Sequence, residues 1–184
     1  MARRYDPERR QRIIDAAFRI VGRDGIAGLS HRTVAAEADV PLGSTTYHFA
    51  SLDELLIAAL RQANENFATA VRGTLESTAP TAPTAPGPGV AAELARVMGH
   101  WLTGERARAE LECELYLAAL RRPALRPVAA EWTQWVVDAL SRHTDAVTAR
   151  ALVAMMDGIC LQVLLTDTAY DEEYAREMLA RILG

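Results

Sequence analysis

Side chains able to act as acids, bases, nucleophiles or metal ligands are present in this 184-residue chain, but their spacing does not assemble them. His31, His48, His100 and His143 are scattered, with no H-E-x-x-H or H-x-H pair to grip a metal from one helix face. Cys113 and Cys160 stand far apart without a C-x-x-C and read as reduced core thiols. No G-x-S-x-G elbow, phosphate-cradling glycine loop or dinucleotide fingerprint occurs. An enzyme, a bound cofactor and a metal site are therefore not expected. Asp157 is the lone acid inside the apolar run 151–165. It is kept as a ligand anchor or general base, beside the plainer reading of an edge-facing acid bonded to a neighbour.

Charge is distributed unevenly. Residues 1–12 hold five Arg against Asp6 and Glu8, a local +3, while the net charge of the whole chain is -4. A basic tip on an acidic body suits a small nucleic-acid contact on a chain otherwise repelled by polyanions. Every basic residue besides the four histidines is Arg, which fits a GC-rich genome. With half of its residues apolar and 24% charged, the chain has the composition of a globular protein of one or two domains. The N-terminus lacks an apolar stretch ahead of a cleavage site, so no secretory or lipidation signal is read there. The run 151–165 would reach only about 22 Å as a helix, short of the roughly 30 Å of a bilayer core. No membrane span is expected, and the protein is expected in the cytoplasm.

The positioning elements all read as helices. Ile13, Ile14, Ala17, Phe18 and Val21 give a helix over 7–23, stopped by Asp24-Gly25. Ser30 caps a short helix to Ala38, Pro41 breaks the chain, and a third short helix runs to His48 or Phe49. Ser51 and Glu54 form a capping box that opens a long fourth helix toward Thr78. Residues 79–89 hold four of the eight prolines and form an extended connector or an inserted loop. Beyond it, helices are predicted near 90–103, 105–121, 126–143, 145–166 and 171–182. The helix from Glu105 is apolar on two opposed arcs, Leu111, Leu115 and Ala118 on one and Cys113, Tyr116, Leu117 and Leu120 on the other, which predicts a central position. The fold class is all-α with about nine helices.

Residues 29–49 carry the strongest signal: two short helices three or four residues apart, small Ala35 where they cross, and Val40 plugging the turn. That is the pattern of a helix-turn-helix. Its surroundings add Ile13-Ile-Asp-Ala-Ala17, Gly25, Leu29-Ser30, Gly43-Ser44, Tyr47-His-Phe49 and Glu54-Leu-Leu56. Over about residues 8–60 the chain resembles the DNA-binding domain of the TetR family of transcriptional regulators. The resemblance implies a DNA-binding domain over 1–50 and a helical ligand-binding and dimerisation domain over 51–184, with 79–89 as a Pro-rich loop. It implies that the third helix enters the major groove, where Gly43 allows close approach and Ser44, Thr45 and Thr46 face base edges. Tyr47, His48 and Ser51 would hold phosphates, Arg32 and Thr33 phosphates or bases, and Arg3 and Arg4 the minor groove unless they are a frayed terminus. Asp39 stands where the family commonly has glycine, and Leu42 and Leu52 where it often has Lys or Arg.

For the remainder, the resemblance implies a small-molecule inducer among core residues. Met98, Trp101, Tyr116, Trp132, Trp135, Met155 and Asp157 are the candidates, and plain core packing explains most of the apolar ones equally well. It also implies a homodimer through residues 145–182, where Gly158 would admit a second backbone, and a palindromic operator. The expectation is a ligand-responsive repressor released from operator DNA by its inducer. The alternatives are an activator and an all-α small-molecule-binding protein that does not bind DNA.

Overall fold

The structure, a computed structural model, describes residues 8–77, 88–104 and 106–184. These form nine α-helices and no strand: α1 (Arg9–Asp24), α2 (His31–Glu37), α3 (Leu42–His48), α4 (Leu52–Ser77), α5 (Pro88–Gly104), α6 (Arg106–Leu117), α7 (Arg126–Leu140), α8 (Ala146–Thr166) and α9 (Glu172–Leu183). The all-α expectation holds. Arg3, Arg4 and most of the Pro-rich segment 79–89 lie outside the described residues. Its last two positions do not extend the connector: Pro88 and Gly89 open α5, where a first-turn proline has no amide to waste.

Packing divides the chain into two compact units, residues 1–63 with 110–129 and residues 64–109 with 130–184. The boundary falls inside α4, α6 and α7. In the first unit, Ile13, Ile14, Ala17, Ile20 and Val21 of α1 meet Val34, Ala35 and Ala38, then Leu55, Leu56, Ala59 and Leu60 of α4. Leu111 and Leu115 of α6 and Leu125 and Val128 beyond it complete this core. Of the two expected apolar arcs of α6, Leu111 and Leu115 of the first are buried, while Ala118 of the first and Cys113, Tyr116 and Leu117 of the second are half-buried. Leu120 is exposed, in the 3₁₀ turn Ala118–Leu120 that follows the end of α6 at Leu117. In the second unit, Leu94, Ala95, Met98 and Leu102 of α5 pack with Leu152, Met156 and Ile159 of α8 and Ala175 and Leu179 of α9. Tyr170 donates to the Ala95 carbonyl at 2.6 Å. Its ring lies so close to Gly99 that a β-carbon there would come within 2.8 Å of it.

α8 is 21 residues long, not the fifteen of its apolar run. By length and composition alone it passes as a membrane span, so the length argument against one does not stand. Its apolarity is explained otherwise on one side, where Ala149, Leu152, Val153, Met156, Ile159 and Val163 are buried.

Two backbone positions in the first unit require left-handed φ. Gly25 ends α1 at φ 68°, ψ 176°, a region that essentially only glycine enters. Asp39, between α2 and α3, has φ 51° and bears a side chain there. The two positions should respond to substitution with opposite signs. Gly25→Ala is expected to destabilise the protein by about 1–3 kcal/mol, and Asp39→Gly to stabilise it by up to about 1 kcal/mol. Urea unfolding followed by circular dichroism measures both, and equal signs would contradict the assignment.

Candidate nucleic-acid interface

The interface is built on α3, and α3 is placed by what it buries. Ser30 caps α2 in a reciprocal box, its hydroxyl accepting from the Thr33 amide at 3.1 Å and its own amide donating to the Thr33 hydroxyl at 2.9 Å. After Asp39, the Val40 amide returns to the Ala35 carbonyl at 3.0 Å, closing the turn over the buried Ala35 and Val40 side chains. α3 then presents two unlike faces. Ser44 and Thr45 are buried, and Phe49 beyond the helix end is buried with them. Leu42, Gly43, Thr46 and Tyr47 face outward, with Tyr47 81% and Leu42 48% exposed.

This placement sorts the expected DNA contacts. Gly43 meets nothing within 4 Å of where a β-carbon would stand, so the helix surface there is open. Thr46 is exposed, and its hydroxyl makes only a long 3.4 Å bond to the Gly43 carbonyl. Tyr47 and the half-buried His48 make an edge-on ring pair with centroids 5.1 Å apart. Arg32 is exposed beside α3 on the neighbouring helix α2. Ser51 caps α4 by accepting from the Glu54 amide at 3.1 Å, which leaves its hydroxyl proton for an outside acceptor. The box at this helix is not the expected reciprocal one, because the Glu54 carboxylate takes the Ala50 amide at 2.7 Å and not that of Ser51.

Two of the expected contacts, Thr45 and Ser44, are corrected, and Thr33 is constrained by its cap. Thr45 is fully buried, and its hydroxyl donates to the Leu42 carbonyl at 2.7 Å, with that of His31 at 3.5 Å. It lies on the side of α3 that packs against the domain, away from the outer face expected to meet DNA. Ser44 is buried on the same inward side. Thr33 is exposed, but its hydroxyl bonds the Gly28 and Ser30 carbonyls at 3.0 Å while accepting the Ser30 amide, so its proton is committed to the cap. Leu42, which sequence reasoning took as a missing cation, joins the outer face as an apolar group able to meet a thymine methyl.

The ligand candidates divide between the two units. Met98 is fully buried in the second unit's core, and Trp101, Trp132, Trp135 and Met155 are half-buried against it. Sequence reasoning missed the residue that joins the tryptophans: Phe67 of α4 meets Trp101 and Trp132 edge-on at 5.6 and 5.5 Å, and Trp132 stacks on Trp135 at 5.2 Å. Only the regular helical spacing of α4 hinted that Phe67 shares a face with its buried residues. Tyr116 packs instead against the first unit's core, because α6 crosses the unit boundary before reaching it. Asp157 lies on the outward side of α8, not in the aromatic cluster. Although it is exposed, the packed helix around it partly desolvates its carboxyl and pushes its pKa above the ordinary range.

Residues 13–59 match the family model for bacterial regulatory proteins of the tetR family. Residues 88–184, more than half of the chain, match that for the tetracyclin repressor-like C-terminal domain. The chain belongs to the TetR family. This TetR-family regulator is 68% identical to the multidrug binding protein EbrR in its complex with imidazole, over 97% of each chain, with a TM-score of 0.87. EbrR has also been solved with ethidium, at 67% identity over 96% of this chain and 99% of that one, TM-score 0.83, and with malachite green and proflavin. A TetR-family member from Streptomyces coelicolor A3 is 67% identical over 97% of this chain and 99% of its own, TM-score 0.84. The HTH-type nicotine-responsive transcriptional repressor HdnoR of Paenarthrobacter nicotinovorans is 28% identical, over 84% of this chain and 83% of its own length. TetR-family regulators are DNA-binding regulatory proteins and not enzymes.

The open outer face of α3 separates folding from DNA binding. Gly43→Ala and Tyr47→Ala are each expected to change stability by less than about 1 kcal/mol. Both should weaken specific DNA binding at least tenfold in a mobility shift. A variant that loses its fold along with its DNA would show that the residue supports the domain instead.

Proposed function

We propose that this TetR-family regulator is a repressor that binds a palindromic operator as a homodimer and releases it when a planar aromatic cation enters the second unit. The observation that carries the DNA reading is Tyr47, an aromatic ring 81% exposed on the outer face of a helix whose opposite face is fully packed. Nothing in the fold needs that ring outside. Leu42, Gly43, Thr46 and Tyr47 read the major groove, while His48, Ser51 and Arg32 hold phosphates and Arg3 and Arg4 supply an N-terminal arm. In functional terms the DNA-binding region is 1–50 and the ligand and dimer region 51–184.

Dimerisation is supported by the outward side of α8. Val147 and Leu165 are 79% and 77% exposed, and Ala151 and Ala154 lie exposed between them. Gly158 has nothing within 4 Å of a β-carbon position, so no packing within the chain requires glycine there. A second copy of α8 and α9 on this face covers the apolar groups and sets two α3 helices in successive major grooves, about 34 Å apart.

The inducer class rests on the aromatic cluster and on the ligands bound by EbrR. Stacked and edge-on indoles offer π faces to a flat cation. Phe67 lies on α4, and α4 also supplies Leu55, Leu56, Ala59 and Leu60 to the first unit's core, so a ligand that shifts Phe67 acts on a helix shared with the DNA-reading unit. A hundredfold loss of operator affinity needs about 2.7 kcal/mol of differential ligand binding. A soluble regulator of this kind works in the cytoplasm.

Selecting bound sequences from a random DNA pool with the full chain is expected to return a palindrome, and ethidium to release it. Enrichment without two-fold symmetry would overturn the dimeric operator reading, and ethidium-strengthened binding the repressor mechanism. Gly158→Arg is expected to yield a folded monomer by analytical ultracentrifugation with little operator affinity. A folded dimer would place the interface elsewhere.

A further inference from the structure

The aromatic cluster of the second unit already holds a cation. Arg72 of α4 sets its guanidinium carbon 5.5 Å from the centre of the Trp135 ring. Phe67, five positions earlier on the same helix, lies edge-on to Trp132, the ring stacked on Trp135. The stacked indole pair is therefore covered at one ring by Phe67 and at the other by Arg72, and both covers belong to α4. A guanidinium is flat, delocalised and weakly hydrated, so it offers an indole face much of what a planar organic cation offers.

We propose that Arg72 is a built-in surrogate ligand, seated on Trp135 in the ligand-free protein and displaced when a planar aromatic cation stacks there. This rests on reading the aromatic cluster as the inducer site. Two cations cannot share one ring face, since each needs the same region of negative potential and they repel at contact distance. Arg72 thus raises the threshold for cationic ligands more than for neutral ones of the same shape. It also ties occupancy of the site to α4, because the displaced group and the displaced ring cover are carried by that helix. Arg72 is exposed, so its side chain can leave Trp135 for water without opening the core.

The test titrates ethidium, and acridine under mildly alkaline conditions where it is uncharged, into the full-length wild type, Arg72→Met and Arg72→Lys, read by tryptophan quenching and dye anisotropy. Arg72→Met keeps an unbranched apolar cover without the charge. It is expected to bind ethidium roughly three- to fivefold more tightly than wild type, the loss of one competing exposed cation–π contact. Acridine should gain less, and Arg72→Lys, which keeps the charge without the flat guanidinium, should gain less than Arg72→Met. Unchanged or weaker ethidium binding in Arg72→Met would overturn the surrogate role while leaving the inducer site standing. Equal gains for both dyes, or an equal gain in Arg72→Lys, would overturn it too, because cover and not charge would then be at issue. Absence of ethidium binding to wild type and Arg72→Met alike would sink the inducer reading and this proposal together. Circular dichroism melts of each variant verify that the comparison is between folded proteins.

Discussion

A seven-residue helix cannot hold itself in water, so everything α3 does depends on how it is seated. The seat is the Thr45 hydroxyl, buried between α2 and α3 and donating back to the Leu42 carbonyl, with Ser44 and Phe49 closing the same side. An inward threonine at this place satisfies its own polar group locally and still presents a methyl to the core. Because the inward face does all the structural work, the outward face of Leu42, Gly43, Thr46 and Tyr47 is released from it. An exposed tyrosine and an exposed leucine on one short helix have no role in the packing of the unit. On the proposed reading they are the DNA contact.

That seat is supported by residues from much later in the chain. Glu114 of α6 accepts the Ile26 amide at 2.8 Å, at the turn that follows α1. Arg122 reaches the Asp53 carboxylate in the first turn of α4 at 2.6 Å. Leu111 and Leu115 supply apolar bulk to the same core, and a β-carbon on Gly22 would stand 3.3 Å from Leu111. The DNA-reading unit is therefore not a purely N-terminal module in packing terms. Leu55, Leu56, Ala59 and Leu60 of α4 and Leu111 and Leu115 of α6 are part of its own core.

Much of this was legible in the sequence because several physical signals agreed. The helix-turn-helix was marked at once by the Ser30 cap, Ala35 at the crossing, Val40 in the turn and Pro41 after it, and each of these behaves as its chemistry predicts. Asp39 takes the left-handed conformation expected of a residue standing in a glycine's place. What failed was the assignment of faces on short helices. Ser44, Thr45 and Thr46 are consecutive small polar residues, and polarity alone does not say which of them turns inward when a hydroxyl can bond its own helix. The aromatic cluster was half legible: the tryptophans announced themselves, but Tyr116 went to the other unit and Phe67 and Arg72 entered through long-range packing that has no local signature.

The outer face of α3 carries no formal charge in Leu42, Gly43, Thr46 and Tyr47, and Arg32 is the exposed cation on the neighbouring helix α2. Phosphate neutralisation supplies most non-specific affinity and its salt dependence, so a face this poor in charge contributes little of that term itself. Weakness in one head is compatible with specificity in two. Joined by a rigid two-fold interface, a second head binds at the high effective concentration set by the first, and correctly spaced half-sites gain far more than isolated ones. In the proposed dimer the same arithmetic makes release sensitive, since a change in head separation that leaves each head folded would remove the joint term. On the proposed reading, low charge on the outer face of α3 and ligand control through α4 belong together, because a head that clung to DNA by electrostatics alone would ignore its inducer.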